Sequence, residues 1–255
     1  MPSTTAPADD LAILATGAAA LGLALDASQL AAFAQYRELL LAWNARFNLT
    51  AITDPHAILT RHFLDSLTVT LAVSAEWRAR SLRVLDVGSG AGFPGLALAI
   101  AFPHWRVTAL EATGKKVIFL RHVVSMLHLS NVRPLVGRAE QVAHTTAERA
   151  RYDLVTARAL AALPTLLEYC QPFARPGGLV VAPKKGDLGS ERAAGNRAAV
   201  TLGGHLDEPL ALAVPGLEDG RALLIAHQER LCPPLYPRAA GAPRKHPLGQ
   251  QAPVP

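Results

Sequence analysis

The sequence contains little cysteine. Its 255 residues include two cysteines, Cys170 and Cys232. Two cysteines so far apart are too few for a disulfide framework and lack the spacing of a zinc site. The sequence therefore predicts a protein of a reducing compartment, the cytoplasm, with no bound metal.

A long hydrophobic run is also missing. Residues 11–25 are apolar, but Asp9 and Asp10 precede them where a signal peptide carries lysine or arginine. Gly17 and Gly22 break the run well short of the roughly twenty residues that a membrane span needs. We therefore expect a short buried helix followed by a turn, and no membrane partner.

Charged residues are sparse, at 18% of the chain against 50% hydrophobic residues, so the chain can bury a sizeable core. Its length allows one large domain, or one domain with a smaller companion. The net charge of +5 permits an anionic partner but does not require one, because modest excesses of this kind are common in proteins that touch no nucleic acid.

Helical patterns fill the first 78 residues. In residues 26–47 apolar residues recur at helical spacing, and Asp26 with Gln29 can form a capping box. A second helix is predicted to start at Thr53 or Asp54, with Pro55 in its first position. Its apolar stripe has a pitch of four residues and consists of Leu59, Phe63, Leu67 and Leu71.

Strands and helices alternate after Ser81. This alternation predicts a doubly wound, mostly parallel sheet, and the last two strands, "LALAV" and "RALLIAHQ", are expected to form an antiparallel hairpin. The fold class expected is therefore α/β with a helical N-terminal extension, and a parallel sheet that ends in an antiparallel hairpin resembles the Rossmann-like methyltransferase fold more than a dehydrogenase. The predicted divisions are a helical region at 1–78, the methyltransferase domain at 79–229, and a basic, proline-rich tail at 230–255 that is extended or mobile.

A glycine-rich turn follows the first predicted strand in "VLDVGSGAGFPG". The spacing of Asp86, Gly88, Gly90 and Gly92 resembles the cofactor turn of S-adenosylmethionine-dependent methyltransferases, and position 93 lacks the third glycine of a dinucleotide turn. Asp86 can attract the cofactor's ammonium group, directly or through water.

Glu111 ends the second strand, where a carboxylate can accept both ribose hydroxyls. NAD-binding proteins place an acid there too, so Glu111 supports a nucleoside ligand without choosing between the two cofactors.

The absence of two motifs limits which atom can accept the methyl group. The region after the fourth strand reads "YDLVTARALA" and lacks the Asn/Asp-Pro-Pro-aromatic run typical of enzymes that methylate exocyclic amino groups. Neither cysteine lies beside the strand ends where a pyrimidine C5 methyltransferase needs its nucleophile. A nitrogen with a free in-plane lone pair, such as guanine N7, needs neither that motif nor a cysteine nucleophile.

Seven blocks together make the resemblance specific. They are "WNARFNLTAITDPHAILTRHFLDSL", "VLDVGSGAGFPG", "KKVIFLRHV", "GRAEQ", "ARALA", "PGGLVVAPKKG" and "YPRAAGAPRKHPL". In this order they resemble the bacterial glucose-inhibited division protein B family, the small-subunit ribosomal RNA methyltransferases G. The resemblance implies methylation of guanine N7 in small-subunit ribosomal RNA near the decoding site, with S-adenosylmethionine as donor.

Matched positions imply cofactor contacts from Gly88, Phe93, Ala139, Glu140 and Arg158, and Arg158 is also expected beside the methyl group. Many relatives carry aspartate where this chain has a glutamate at the end of the second strand. The longer acid should still reach a ribose.

Arg61, His62 and Asp65 lie within about one helical turn. One interpretation is an Arg61–Asp65 salt bridge on a solvated face, with His62 satisfied by a neighbouring helix. The other places "RHFLDS" at the cofactor cleft, with His62 and Asp65 as catalytic residues beside Arg158. In that case Asp65 stabilises the positive charge that develops on the base.

Lysine is scarce, and four of the five lysines stand in two adjacent pairs. Lys184 and Lys185 follow the fifth strand at the edge where open sheets bind ligands. We expect them to meet RNA backbone together with Arg244 and Lys245; the alternative is a solvated loop.

The function expected is a monomeric ribosomal RNA guanine-N7 methyltransferase, with ribosomal RNA or a ribosomal particle as its partner. Two alternatives remain open. One is an RNA-binding module that kept the cofactor fold without catalysis, and the other is a small-molecule methyltransferase.

Overall fold

The computed structural model describes residues 7–186 and 189–249. Eight strands form one sheet in the order β3-β2-β1-β4-β5-β8-β6, and β7 also pairs with β8. The strands are β1 Arg83–Val87, β2 Arg106–Glu111, β3 Val132–Val136, β4 Tyr152–Thr156, β5 Ala174–Lys185, β6 Gly204–Leu206, β7 Leu210–Ala211 and β8 Arg221–Gln228. The first five are parallel and β8 is antiparallel to β5, which confirms the predicted fold class.

Helices surround this sheet. The α-helices outside residues 55–72 are Pro7–Ala20, Ala27–Phe47, Ala75–Arg78, Gly95–Ala101, Gly114–Met126, Ala139–Val142, Leu163–Cys170, Gly189–Thr201 and Ala242–Lys245, and a 3-10 turn spans Gln171–Phe173. Across the described ranges, none of the helices has both the length and the apolarity needed to cross a membrane.

The first two helices agree with the pattern in the sequence. Asp26 accepts a hydrogen bond from the backbone of Gln29, and the Gln29 side chain accepts one from the backbone of Asp26, so the predicted capping box is present. The expected short helix and turn are present, and Gly17 lies inside the helix, where a side chain would collide with Leu64. This glycine allows close packing.

Residues 55–72 form one irregular helical segment. Asp54 caps it and Pro55 opens it, as predicted. The α-helix Pro55–Ile58 gives way to the π-helix Leu59–Leu64, the short α-helix Asp65–Leu67 and the 3-10 helix Thr68–Ala72. Wider and tighter turns shift the phase of the side chains. The predicted stripe therefore fails at its end, where Leu71 is 40% exposed.

Two hydrophobic clusters lie on the two faces of the sheet. One joins the N-terminal helices to the sheet through residues such as Phe33, Phe63 and Val84. The other packs Leu85 and Phe173 beneath the helices of the opposite face. Val84 and Leu85 belong to different clusters because successive strand residues point to opposite faces.

The end of the chain differs from expectation. The predicted "LALAV" strand is reduced to the two-residue β7, whereas β6 was not predicted. Residues 230–249 are packed rather than extended: Arg238 pairs with the buried carboxylate of Glu168 at 2.6 Å, and Thr165 donates to the carbonyl of Pro243. Residues 250–255 of the predicted tail lie outside the described residues.

Candidate active site

The glycine turn after β1 has a backbone that glycine alone adopts easily. Gly88, Gly90 and Gly92 have φ angles of +73°, +58° and +97°. These values lie in the left-handed region, where a side chain is strained. A side chain at Gly88 would also come within 2.7 Å of Leu160. The absence of a side chain at Gly88 therefore lets Leu160 pack closely against the turn.

Glu111 at the end of β2 fastens this turn. Its Oε2 accepts a hydrogen bond from the Gly90 amide at 2.9 Å, and its Oε1 accepts one from the Thr113 amide at 2.8 Å. Each carboxylate oxygen has a second lone pair and can accept another donor. The carboxylate can thus hold the turn and bind a ligand hydroxyl at the same time.

Asp86 lies beneath the turn. Its side chain is fully buried, and its Oδ2 accepts a hydrogen bond from the Gly95 amide at 2.9 Å, which ties β1 to the next helix. Its Oδ1 has no hydrogen-bond partner among the described residues. Burial raises the pKa of Asp86 to about 6.

A cavity of about 310 Å³ opens beside the turn, at the carboxyl ends of the parallel strands. We call it the first cavity. It is lined by Val87, Gly88, Leu110, Glu111, Ala112, Lys116, Gly137, Arg138, Ala139, Glu140, Arg158, Ala159, Leu160, Tyr169 and Arg244. Five predicted cofactor residues lie together here, namely Gly88, Glu111, Ala139, Glu140 and Arg158.

Four other predicted cofactor residues do not line the first cavity. These residues are Asp86, Gly90, Gly92 and Phe93, and they belong to the first strand and the glycine turn that follows it. Direct contact of Asp86 with a ligand in this cavity is therefore not supported. Tyr169, missed in the sequence, lines the cavity from the helix Leu163–Cys170, and no motif marked it.

Phe93 sits between the turn and the 55–72 segment. Its ring stacks on His62, with centroids 4.5 Å apart, and the Arg158 guanidinium lies 5.0 Å from its centroid. Tyr36 stacks on the same ring and fills the space beside Gly92. Phe93 thus supports the side chains around Arg158.

Arg158 follows β4 and connects the two parts of the site. One terminal nitrogen donates to Asp65 Oδ2 at 2.8 Å and to the Arg61 carbonyl at 3.1 Å. The other donates to His62 Nδ1 at 3.0 Å. Three of the five guanidinium donors are used in this way, so the side chain is held in one place.

Asp65 is 2% exposed, and its carboxylate also forms an ion pair with Arg221. The suggested Arg61–Asp65 salt bridge is therefore wrong, because Asp65 pairs with Arg158 and Arg221 instead. The Asp65 carboxylate is therefore already neutralised by two arginines and is not free to pair with a positively charged base. Arg221 was missed in the sequence, since only the antiparallel register that pairs it with Lys185 brings it here.

His62 is held as a neutral ring. Nδ1 receives a donor from Arg158 and must carry the lone pair, so Nε2 carries the hydrogen and donates to Thr50 Oγ1 at 2.8 Å. Burial, with Arg158 nearby, lowers the pKa of His62 to about 3. This ring positions Arg158 and does not exchange protons near neutral pH.

A second cavity, of about 350 Å³, lies on the other side of Arg158. We call it the second cavity. Its lining is rich in cations and consists of Ile52, Arg61, His62, Asp65, Arg158, Ala159, Ala161, Pro183, Lys184, Lys185 and Arg221. Arg158 and Ala159 line both cavities, so the two spaces share a wall.

The four predicted RNA-binding residues do not behave alike. Lys184 is 17% exposed and is held by Glu191 at 2.7 Å, whereas Lys185 is 62% exposed and pairs with Asp219. Arg244 lines the first cavity, away from the lysine pair. Lys245 is exposed at the end of the helix Ala242–Lys245. The expected single patch is thus divided.

The two cysteines are unsuited to nucleophilic chemistry. Both are free and buried. Burial raises the pKa of the Cys232 thiol to about 12, and that of Cys170 is raised further still. At neutral pH neither offers a useful amount of thiolate.

Comparison with known sequences gives consistent matches. A family model described as "GidB: rRNA small subunit methyltransferase G" matches residues 29–212. The chain is 45% identical over 238 residues to the ribosomal RNA small subunit methyltransferase G of Roseiflexus sp. (strain RS-1), covering 92% of this chain and 99% of that protein. It is 44% identical to the protein of the same name from Deinococcus deserti, covering 92% and 95%.

Solved structures share the fold at low sequence identity. A SAM-dependent methyltransferase from Aquifex aeolicus has a TM-score of 0.52 at 17% identity, covering 70% of this chain and 96% of its own. A predicted O-methyltransferase from Agrobacterium tumefaciens has a TM-score of 0.51 at 20% identity, covering 64% and 79%. These likenesses support the architecture of the sheet.

Proposed function

The chain belongs to the rRNA small subunit methyltransferase G family, and we propose that it uses S-adenosylmethionine to methylate guanine N7 at one site in small-subunit ribosomal RNA. The observation that carries the proposal is the pair of cavities that share Arg158 and Ala159 as a wall. One cavity suits a nucleoside cofactor and the other suits a base with a polyanionic backbone.

The first cavity fits the cofactor by its chemistry. Glu111 has lone pairs left for ribose hydroxyls, and Gly88 offers backbone without a side chain in the way. Ala139 and Glu140 line the part of the cavity next to β3, where the adenine is expected. Asp86 would act from beneath the turn, through a water molecule.

When bound, S-adenosylmethionine supplies a methyl group on a positively charged sulfur. Guanine N7 has a free in-plane lone pair and carries no proton, so the protein needs no general base. What it must do is position the base and exclude water. The held, neutral His62 and the buried cysteines are consistent with a site that moves no proton.

The second cavity is proposed to hold the target guanine. A base must leave its stack to enter an enclosed site. Arg158 stands at the wall nearest the donor and has N–H groups left over for an acceptor on the base, such as guanine O6. Arg61 and Lys185 are exposed at this cavity and can meet phosphates of the flanking RNA.

Asp65 is proposed as a positioning residue. Methyl transfer places a positive charge on the base, close to Arg158. Because Asp65 pairs with Arg158 and Arg221, the charge on the base does not develop opposite an uncompensated guanidinium. This role replaces the stabilisation of the charged base by Asp65 itself that the sequence suggested. We also propose that the enzyme acts as a monomer in the cytoplasm, where ribosomal RNA is its partner.

The deciding experiment uses isotope-labelled cofactor. The purified full chain is incubated with small-subunit ribosomal RNA, and in parallel with small-subunit particles, from a strain that lacks this modification. The RNA is then digested and the labelled nucleosides are identified by mass spectrometry. Labelled 7-methylguanosine at one site is the expected product. Comparing naked RNA with particles shows which form is the substrate.

The other outcomes separate the alternatives. Label on a different nucleoside would keep the fold and the cofactor but overturn N7 as the target. Cofactor binding without any label on RNA or particles would favour the RNA-binding module. Label on small molecules of a cell extract but not on RNA would favour a small-molecule methyltransferase.

A further inference from the structure

A cluster of histidine and carboxylate side chains lies far from both cavities. It stands on β6 and β8, which pair antiparallel with His205 opposite His227. Along β8, Arg221 pairs with Lys185 beside the second cavity, whereas His227 pairs with Leu179 at the other end of the stretch in which β5 and β8 pair. The cluster is thus at the opposite end of the sheet from the proposed reaction.

His205 and His227 lie on these two strands, and Asp207 and Glu229 follow directly after the strand ends. Residues two apart on a strand point to the same side, so His205 with Asp207 and His227 with Glu229 form one surface. The imidazole rings stack with centroids 4.7 Å apart. His227 Nε2 lies 2.8 Å from Asp207 Oδ2, and His205 Nε2 lies 3.5 Å from Asp207 Oδ1.

Glu229 fixes the state of the His205 ring. His205 Nδ1 lies 2.8 Å from Glu229 Oε1, and a carboxylate only accepts, so Nδ1 carries the hydrogen. In the neutral ring the Nε2 lone pair then faces Asp207 Oδ1, which is also an acceptor. His205 Nε2 and Asp207 Oδ1 are then two hydrogen-bond acceptors that face each other, and a cation between them would remove their repulsion.

We propose that His205, Asp207 and His227 bind one divalent transition-metal ion of the zinc class. Their ligand atoms all lie within 4.8 Å of one another. Bond lengths of about 2.0 Å in a tetrahedron require ligand atoms about 3.3 Å apart, close to the distances from Asp207 to the two rings. Two imidazoles and one carboxylate are a donor set that such ions accept.

Glu229 completes the site from behind. A ligand histidine commonly donates its other ring N–H to a carboxylate, which fixes its tautomer and orientation. Glu229 holds His205 in that arrangement. The side chains of the three proposed ligands are 41% to 46% exposed, so water can complete the coordination.

The proposed role is mechanical. β6 has three residues and lies at the edge of the sheet, where it pairs with β8. An ion held by His205 and Asp207 from one side and His227 from the other fastens this short strand. Metal binding therefore stabilises the fold by mass action and leaves methyl transfer unchanged.

The test uses the full chain without a histidine tag, first treated with a chelator and then dialysed. Zn²⁺ is titrated by calorimetry, and Co²⁺ is titrated while its visible absorption is recorded. We expect one site per chain and a higher Tm with Zn²⁺. His205→Ala and His227→Ala should each weaken binding at least about tenfold, and Glu229→Gln should weaken it by about tenfold through the orientation of His205.

His56→Ala is the matched control, because His56 is an exposed imidazole elsewhere on the chain. It should bind Zn²⁺ as the parent protein does. Circular dichroism verifies that each variant is folded. The proposal is overturned if the parent protein shows no saturable binding, or if the double variant His205→Ala/His227→Ala binds as tightly as the parent. A Tm that depends on pH but not on Zn²⁺ would show that a proton lies between His205 Nε2 and Asp207 Oδ1. That outcome would also reject the metal.

Discussion

The two cavities are constructed in different ways. The first is built around the glycine turn and residues that follow the ends of consecutive strands, such as Gly88, Glu111 and Ala139. The second is formed by charged side chains from distant segments, with Asp65, Arg158 and Arg221 at its centre. Arg158 lines both cavities. Even so, we expect substitutions in the first cavity and substitutions in the second to have different effects.

The difference teaches where each cavity is vulnerable. The first depends on backbone conformations that only glycine adopts without strain, so added atoms should damage it. The second depends on buried ion pairs, so removed charges should damage it. The predictions below test this distinction.

The largest effect is expected at Asp65. Asp65→Ala leaves Arg158 and Arg221 facing each other without their shared carboxylate, which should lower the free energy of unfolding by about 3 to 5 kcal/mol in urea titrations. Glu208→Ala, which removes an exposed carboxylate paired with Arg192, is the control and should cost about 1 kcal/mol or less.

Asp65→Asn keeps the shape of the side chain and tests its role in positioning. We expect kcat to fall by about 100-fold, comparable to the loss of one fixed catalytic donor, while cofactor affinity and the KM for RNA change little. Full turnover in this variant, with intact cofactor binding, would show that the carboxylate does not position Arg158.

Asp86 should make stability depend on pH. Its pKa is about 6 in the folded protein against 3.8 when exposed, so the folded state binds the proton more tightly. The stabilisation is present below pH 3.8 and is lost as the pH rises through 6, in total about 3 kcal/mol. The difference in unfolding free energy between the parent protein and Asp86→Asn should change accordingly between pH 4.5 and 7. Parallel curves would contradict the raised pKa.

Gly88 tests the dependence of the first cavity on backbone. Gly88→Ala forces a side chain into a left-handed conformation at a cost of about 1 to 2 kcal/mol and moves Leu160. Cofactor affinity, measured by calorimetry, should fall about tenfold, while RNA affinity should not change. Gly114→Ala is the matched control, because a side chain there meets no atom within 4 Å. Equal losses in both variants would remove the special role of the turn.

The smallest effect is expected at the lysine pair. Lys185→Ala should reduce the salt dependence of RNA binding by about one phosphate contact, because Lys185 is exposed at the second cavity. Lys184→Ala should instead lower stability slightly, since Lys184 is held by Glu191. Arg80→Ala removes an exposed charge elsewhere and should leave the slope unchanged. Unchanged slopes in all three variants would exclude Lys185 from the RNA surface.

The sequence predicted the first cavity better than the second for a physical reason. The glycine turn and the end of β2 are local, so their spacing along the chain already fixes what they can do. The role of Asp65 depends on Arg221, which is 156 positions away in the sequence and is brought close only by the register of β8. No periodicity encodes that register. The change to π-helical turns at Leu59–Leu64, after which Leu71 is exposed, was also not predicted, because the apolar residues keep a regular spacing of four through this segment.

The packing of residues 230–249 against the rest of the protein bears on the order in which the protein folds. Arg238 is clamped on Glu168, and Arg244 reaches the wall of the first cavity, next to residues made about a hundred positions earlier. Contacts between such distant positions form late, since the entropy of closing a long loop must first be overcome. Strands β1 to β5 precede this segment in the chain, but the first cavity is completed only after Arg244 has been synthesised. A chain that stopped before Arg244 would therefore lack part of the wall of the first cavity.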